Sequence, residues 1–411
     1  MSALPLSDVK VLDLTRLLPG GFCSLLLADL GAEVLKVEDT GMGDYIRWAP
    51  PYYGGDEQQS LGTRSSLYLS LNRGKRSVRL DLKNEAGKEA LLRLVAGYDV
   101  VLDGFRPGVL DRLGVGYERM REANPGVVFC AITGYGQDGP YEQRAGHDMN
   151  YLGLVGLLGL TGAKDGPPVQ SAGQIADLGG GALMAAFGVM AALHERQRSG
   201  EGQMVDISMA DGALSWLAMV AGRYFCDKEV PRRGEQQLAG GLICYLPYEA
   251  SDGWVTCGAL EPKFWAAFCD GVDRPDLIEK QFEAPGSEAW AEVAAVFRSR
   301  TRDEWLVFND EHDCCIEPVL DLDEALDSEL VRARGMVVEL EQPELGTVRQ
   351  LGNPVKLSRT PADPTRPAPA FGEHTDEVLA EAGYSAEEIA AMKESGAAAG
   401  PTAEQQGEFR A

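Results

Sequence analysis

The chain is 411 residues long, 45% hydrophobic and 25% charged, a composition ordinary for a globular protein with room for two or more domains. Its 38 basic and 63 acidic residues leave a net charge of −25 with His neutral, which argues against a nucleic-acid partner because phosphate binding needs a basic face. The longest uncharged run, residues 178–193, falls short of the ~20 residues needed to cross a bilayer and reads as a buried core helix, so no membrane partner is expected.

The start, MSALPLSDVKVLDL, lacks a charged region followed by an apolar one, so no secretory signal is expected. Eight cysteines and four histidines are scattered without ligand spacing. They predict no disulfide framework, no metal site and a reducing, cytoplasmic setting.

In chain order, residues 9–14 (VKVLDL) read as a strand, followed by a turn at Pro19-Gly20-Gly21, a helix ending near Gly31 and a second strand at 33–38. This β-α-β opening predicts a parallel sheet with ligands at the strand ends, although GxGxxG is missing. Residues 41–65, rich in Gly, Pro and Tyr, read as a surface loop over the sheet. A basic turn, a strand at 77–82, a helix at 84–96 and a strand at 100–103 come next. Arg73, Lys75, Arg76, Arg79 and Lys83 cluster there, and Arg106 and Arg112 follow the next strand end, where a parallel sheet would hold a phosphate-bearing ligand.

Further strands are predicted at 127–133 and 204–207, then an antiparallel hairpin over GEQQLAGGLICYLPYEASDGWVTCGAL. Glu261 and Pro262 read as N-cap and first residue of a helix. After amphipathic helices, residues 336 onward return to hairpin-like strands, and Ser385 with Glu388 signals a capping box. The domain reading is a large α/β domain over 1–225, a smaller one over 226–335, a return to the large domain over 336–395 and a disordered tail over 396–411.

The stretch 146–193 carries the chemistry. His147 and Asp177 each stand where a buried apolar helix should begin, Asp148 is placed to cap the run from Met149, and Asp177 precedes Leu178 and three glycines. Asp177 therefore reads either as an ordinary N-cap or as a functional carboxylate at a helix start. A His and an Asp beside two helix N-termini are what proton transfer to and from a carbon acid requires, because such termini also stabilise a developing anion. Tyr135, Gln137 and Tyr151 are candidate pocket residues.

The motifs VKVLDLTRLLPGGFCSLLLADLGAEVLKVE, NRGKRSVRLDLK, GFRPGVLDRLGVGY, GYGQDGPY and IADLGGGALMAAFGVMAALHERQRSGEGQMVDISMADG, in this order, resemble the family III CoA transferases of the CaiB/BaiF type, from about residue 8 to 395. The resemblance implies an α/β fold with a Rossmann-like large domain holding a parallel sheet, a smaller α+β domain, an interlocked homodimer and acyl-CoA substrates. CoA belongs to the substrate, and no separate cofactor is implied.

Within the family, GHDMNY is most similar to the α-methylacyl-CoA racemase branch. That similarity implies His147 and Asp177 as bases on opposite faces of the α-carbon, with Glu261 of GALEPKFW near the His. The expected reaction interconverts (R)- and (S)-2-methylacyl-CoA thioesters through an enolate. In the transferase branch the same Asp attacks the thioester and passes through an aspartyl-CoA intermediate, which is the alternative here, and the long loop after residue 41 resembles that branch more. CoA contacts carry over to Leu80, Asp81, Leu82, Lys83, Arg106 and Arg112, with Gly146 and Tyr151 beside them. Relatives often have Arg where this chain has Asp39, so that CoA contact is expected either to be lost or to be supplied by another group, such as Arg73 or Lys75.

Overall fold

The structure is a computed structural model that describes residues 4–55 and 64–401. It falls into two compact units, one formed by Met1–Tyr151, Gly173–Ala213 and Glu329–Ala411, the other by Leu152–Ala172 and Leu214–Ser328. These edges differ from the 225 and 335 read in sequence. Two of the boundaries cut through helices, Asp148–Leu154 and Met209–Ser215, so no loop composition announces them.

The first unit is built on strands β1 (Lys10–Asp13), β2 (Glu33–Glu38), β3 (Lys75–Leu80), β4 (Val100–Asp103), β5 (Val128–Thr133) and β6 (Met204–Ser208). They pair in parallel in the order β3-β2-β1-β4-β5-β6, the doubly wound order in which ligands bind where the strand order reverses, between β1 and β4. The central segments of β1 to β5 are almost entirely buried, which explains the near-continuous apolar runs of β4 and β5, whereas the edge strand β6 is largely half-buried or exposed. The mixed α/β class with a parallel sheet is as expected.

Beside these strands lies the hairpin of β10 (Val337–Gln342) and β11 (Gly346–Leu351). The chain then returns to the main sheet, where β12 (Ala398–Ala399) runs antiparallel to β3, pairing Ala398 with Leu80. Residues 396–401 were expected to begin a disordered tail, but within them Ala398–Ala399 form a sheet edge. The Arg79 guanidinium donates to the Gly400 carbonyl at 2.9 Å, and the Asp81 N–H donates to Ala397 at 2.9 Å. Residues 402–411 of that tail lie outside the described residues.

Two further expectations change. β3 begins at Lys75, two residues earlier than its apolar pattern suggests, because the Lys75 ammonium is fully buried against Asp13 at 3.3 Å. The stretch expected as a surface loop after residue 41 is largely exposed at residues 50–55, but residues 43–49 turn inward. Arg47 is buried and grips Glu38 with two N–H groups, Nε at 2.8 Å and Nη2 at 2.7 Å, and its guanidinium lies 3.8 Å from the Tyr68 ring centroid. Residues 56–63 of that loop lie outside the described residues.

The apolar run judged too short to span a bilayer belongs to a continuous helix over Ile175–Ser199, 25 residues long and apolar enough to cross one by length and composition. Its buried residues Ala185, Val189, Ala192 and Leu193 pack into the first unit, and the Cβ a residue would add at Gly188 meets Val205 of β6 at 2.7 Å.

The second unit carries a three-stranded antiparallel sheet of β7 (Tyr245–Ala250), β8 (Gly253–Gly258) and β9 (Ile316–Pro318), with helices around it. Its core is aromatic. Phe297 stacks between Tyr248 at 4.5 Å and Phe268 at 5.1 Å, with Trp265 and Trp305 fully buried nearby. Such offset rings add to the area they bury.

Candidate active site

Two buried helix starts face one another in the first unit. Asp148, 4% exposed, opens the short helix Asp148–Leu154, but its carboxylate does not cap that helix. Its Oδ1 instead accepts the backbone N–H of Ala176 at 2.6 Å and of Asp177 at 3.1 Å, closing the N-terminus of the helix that carries Asp177. Asp148 Oδ2 is buried with no hydrogen-bond partner among the described residues.

Asp177 is therefore not the N-cap. Gln174 holds that place without a side-chain bond, and Asp177 sits in the first turn. Because Asp148 satisfies the free backbone donors, the Asp177 carboxylate stays available. The turn itself is unusual, since residues Ile175–Leu183 are wound as a π-helix, a form frequent at functional sites. Burial and the charge of Asp148 raise the Asp177 carboxyl to about 6, against a smaller opposing pull from His147. That pull places the His147 side chain within electrostatic reach of Asp177.

His147 is exposed and precedes the helix Asp148–Leu154. Its backbone N–H donates to Asn150 Oδ1 at 3.0 Å and its carbonyl accepts the Asn150 N–H at 2.8 Å, so the turn is fixed while the imidazole stays outside it.

Tyr151 completes the wall. Its hydroxyl donates to the Gly146 carbonyl at 2.6 Å and its ring stands edge-on to Tyr135 at 5.1 Å. A Cβ on Gly146 would meet the Tyr151 ring at 2.7 Å, which is why glycine stands there. Burial, then Asp177 and Tyr135, hold the Tyr151 phenol above its usual range, while Arg106 acts in the opposite sense. Two of the glycines after Leu178 serve packing. A Cβ on Gly180 would lie 2.6 Å from the Met209 carbonyl, and one on Gly181 would lie 2.8 Å from the Met209 side chain.

A second feature lies at the C-terminal ends of β1 to β4. A cavity of about 290 Å³ is lined by Leu80 at the end of β3, by Asp81, Leu82 and Lys83 after it, and by Phe105 and Arg112 after β4. Arg16 and Asp39 also reach it. Arg106 does not line it; it lies on the connecting turn, near enough to Tyr151 to influence its phenol. The Asp103 carboxylate accepts the Phe105 N–H at 2.9 Å and so shapes that turn.

The basic cluster is mostly structural. Arg73 is buried against Asp29 at 2.7 Å and donates to Gln350, and Lys75 is buried against Asp13 and Asn72. Neither can replace the cation missing at Asp39, which corrects that expectation. Arg76 pairs with Glu33, Glu377 and Glu381, and Arg79 is held by backbone carbonyls and the Phe371 ring. Of the five, Lys83 alone lines the cavity. Arg16, bonded to Asp39 at 2.8 Å, supplies a cation that sequence reasoning missed, because only the fold brings the two strand ends together.

Glu261 lies in the second unit, as expected at the N-cap of the helix Pro262–Gly271, with Pro262 at N1. Its carbonyl accepts from Phe264 at 3.0 Å, but its carboxylate makes no capping bond. No group of three or more His, Cys, Asp or Glu side chains suited to a metal occurs among the described residues.

A doubly wound sheet with a cavity at its switch point lined by both basic and acidic side chains, and an acid–histidine pair at buried helix starts, define a ligand-binding α/β enzyme unit. Residues 6–375 match the family described as CoA-transferase family III, and the chain belongs to that family. It is 37% identical to the α-methylacyl-CoA racemase of Mus musculus, over 93% of this chain and 95% of that one. It is also 36% identical to the succinyl-CoA:mesaconate CoA-transferase of Haloarcula marismortui, over 92% of this chain and 96% of that one. Among solved structures, a CaiB/BaiF family protein from Brucella suis superposes with a TM-score of 0.80 at 30% identity, over 93% of this chain and all of the other. Relatives of comparable identity thus carry both names, racemase and transferase.

Proposed function

We propose that the protein is an acyl-CoA racemase or epimerase that interconverts (R)- and (S)-2-methylacyl-CoA thioesters by proton transfer at the α-carbon. The observation that carries this reading is the pairing of His147 with an Asp177 carboxyl raised to about 6, free of capping duty. A carboxyl near the working pH is suited to take a proton and to give one back. In one direction Asp177 removes the α-proton, the C–H electron pair moves into the thioester carbonyl to form an enolate, and His147 delivers a proton to the opposite face. In the other direction the roles exchange. Tyr151, Gly146 and Arg106 line the approach. Leu80 to Lys83 and Arg112 hold the nucleotide end of CoA. Glu261 is retained as a third candidate because its carboxylate is not spent on its own helix.

The second reading is a CoA transferase, supported by the same uncapped Asp177, which could attack a thioester carbonyl, and by the relatives that bear transferase names. The experiment that separates them incubates one 2-methylacyl-CoA epimer alone in deuterium oxide. Epimerisation with α-deuteration and no added acid supports the racemase, whereas turnover that waits for an acceptor carboxylate sinks it.

We further propose a homodimer in a reducing, cytoplasmic compartment. Phe187 in the first unit, and Met219 and Phe225 in the second, are each more than two-thirds exposed in the single chain, apolar area on each unit that association would cover. The buried thiols of Cys23 and Cys257 act as core residues, burial pushing Cys23 up to about 12. Sedimentation velocity at several concentrations tests the dimer; a mass of one chain throughout would refute it.

A further inference from the structure

The cavity at the ends of β1 to β4 has a charge arrangement that its proposed role does not by itself explain. Asp39 follows β2 directly and stands at the mouth. Its Oδ2 accepts from Arg16 Nη2 at 2.8 Å, while Oδ1 accepts the N–H groups of Gly41 at 2.8 Å and Gly43 at 3.2 Å. Three bonded groups thus fix this carboxylate in place, so it cannot swing away from an arriving ligand. The other two carboxylates lining the cavity are engaged elsewhere. Glu38 is clamped by Arg47, and Asp81 Oδ1 accepts the Lys83 N–H at 2.9 Å.

In a doubly wound sheet of this strand order, an acidic residue at the end of the second strand hydrogen-bonds free ribose hydroxyls and repels a ribose phosphate, whereas an Arg there accommodates the phosphate. A phosphate dianion brought to Arg16 would meet Asp39 on the same guanidinium. Like charges that close cost a substantial part of the binding energy where solvent is partly excluded. A ribose hydroxyl could instead donate to Asp39 Oδ2, which accepts only from Arg16 and keeps lone-pair capacity.

We propose that Asp39 is a specificity-determining residue that makes this cavity read an unphosphorylated ribose, so that 3′-dephospho-CoA and its thioesters bind at least as well as CoA. The proposal rests on the reading above in one respect only, that the cavity takes the nucleotide end of the substrate. The choice between racemase and transferase does not affect it.

The test is calorimetric titration of the full-length protein with free CoA and with free 3′-dephospho-CoA, at two salt concentrations, for the wild type, Asp39→Asn and Asp39→Arg. Asp39→Asn keeps an acceptor for Gly41 and Gly43, and thermal melts confirm that each variant is folded. In the wild type the two ligands are expected to bind within about threefold of each other or with the dephospho form ahead. Asp39→Asn should shift the ratio toward CoA by roughly tenfold and Asp39→Arg by more, with a steeper loss of CoA affinity as salt rises. A wild type that prefers CoA by more than tenfold overturns the proposal, as does a ratio that Asp39→Asn moves by less than threefold. Failure of both ligands to bind refutes the nucleotide assignment of the cavity itself, a result distinct from either of these.

Discussion

The carboxylate of Asp148 accepts the backbone N–H of Asp177 at 3.1 Å, so the residue next to His147 in sequence caps the helix that carries the other half of the pair. One short segment therefore presents the imidazole and fixes the position and charge of the acid. The charge of Asp148 also adds to burial in raising the Asp177 carboxyl.

Replacing Asp148 with Asn keeps an oxygen for the two N–H groups and removes that charge. Asp177 should then ionise at lower pH. The acid limb of kcat/KM, expected near 6 in the wild type from the Asp177 carboxyl, should move down by a fraction of a unit to one unit. A pH profile of kcat/KM measures this, and an unmoved limb would show that Asp177 does not set it.

Asp177→Asn is expected to lower turnover by at least ~10² to 10⁴ while CoA still binds, the range for losing a positioned acid–base group. It should also stabilise the fold near neutral pH. The folded carboxyl ionises at about 6, above its ordinary value, so the native state binds its proton more tightly than the unfolded chain. Wild-type stability from this group is present at low pH and lost as pH rises from about 4 to about 6. The variant lacks that loss, so its Tm should exceed the wild type's at pH 8, with the gap closing near pH 4. Calorimetric melts across this range decide it.

Glu38 and Arg47 behave in the opposite sense. The Arg47 guanidinium beside it holds the buried Glu38 carboxyl at about 2 although desolvation opposes this, so its contribution to stability is present above about pH 4 and lost as pH falls toward 2. Arg47→Lys keeps the charge but not the fork that meets both carboxylate oxygens, and should cost about 3 kcal/mol. Urea midpoints at pH 7 and pH 3 test this, with a smaller difference expected at pH 3.

Arg73 and Lys83 come from one basic cluster but should separate cleanly. Arg73→Ala breaks the buried pair with Asp29 and should lower the urea midpoint while leaving CoA affinity of the folded protein unchanged. Lys83→Ala and Arg112→Ala, at the cavity, should weaken CoA binding several-fold and flatten its salt dependence with little change in stability. Equal effects of Arg73→Ala and Lys83→Ala on affinity would contradict the division.

The sequence alone determined the β-α-β order, the strands at 33–38 and 100–103, the N-cap at Glu261 and the Ser385–Glu388 capping box, because each rests on local periodicity or on groups a few residues apart. It also singled out His147 and Asp177, two polar residues beside long apolar runs. Tertiary structure decided the rest. Whether Asp177 caps its own helix depended on a carboxylate 29 residues away, and whether Arg73 or Lys75 was free depended on partners 44 and 62 residues away. Arg16 became a cavity residue only when parallel pairing put the end of β1 beside that of β2. Electrostatic pairing acts through distance in space, which residue spacing along the chain does not encode.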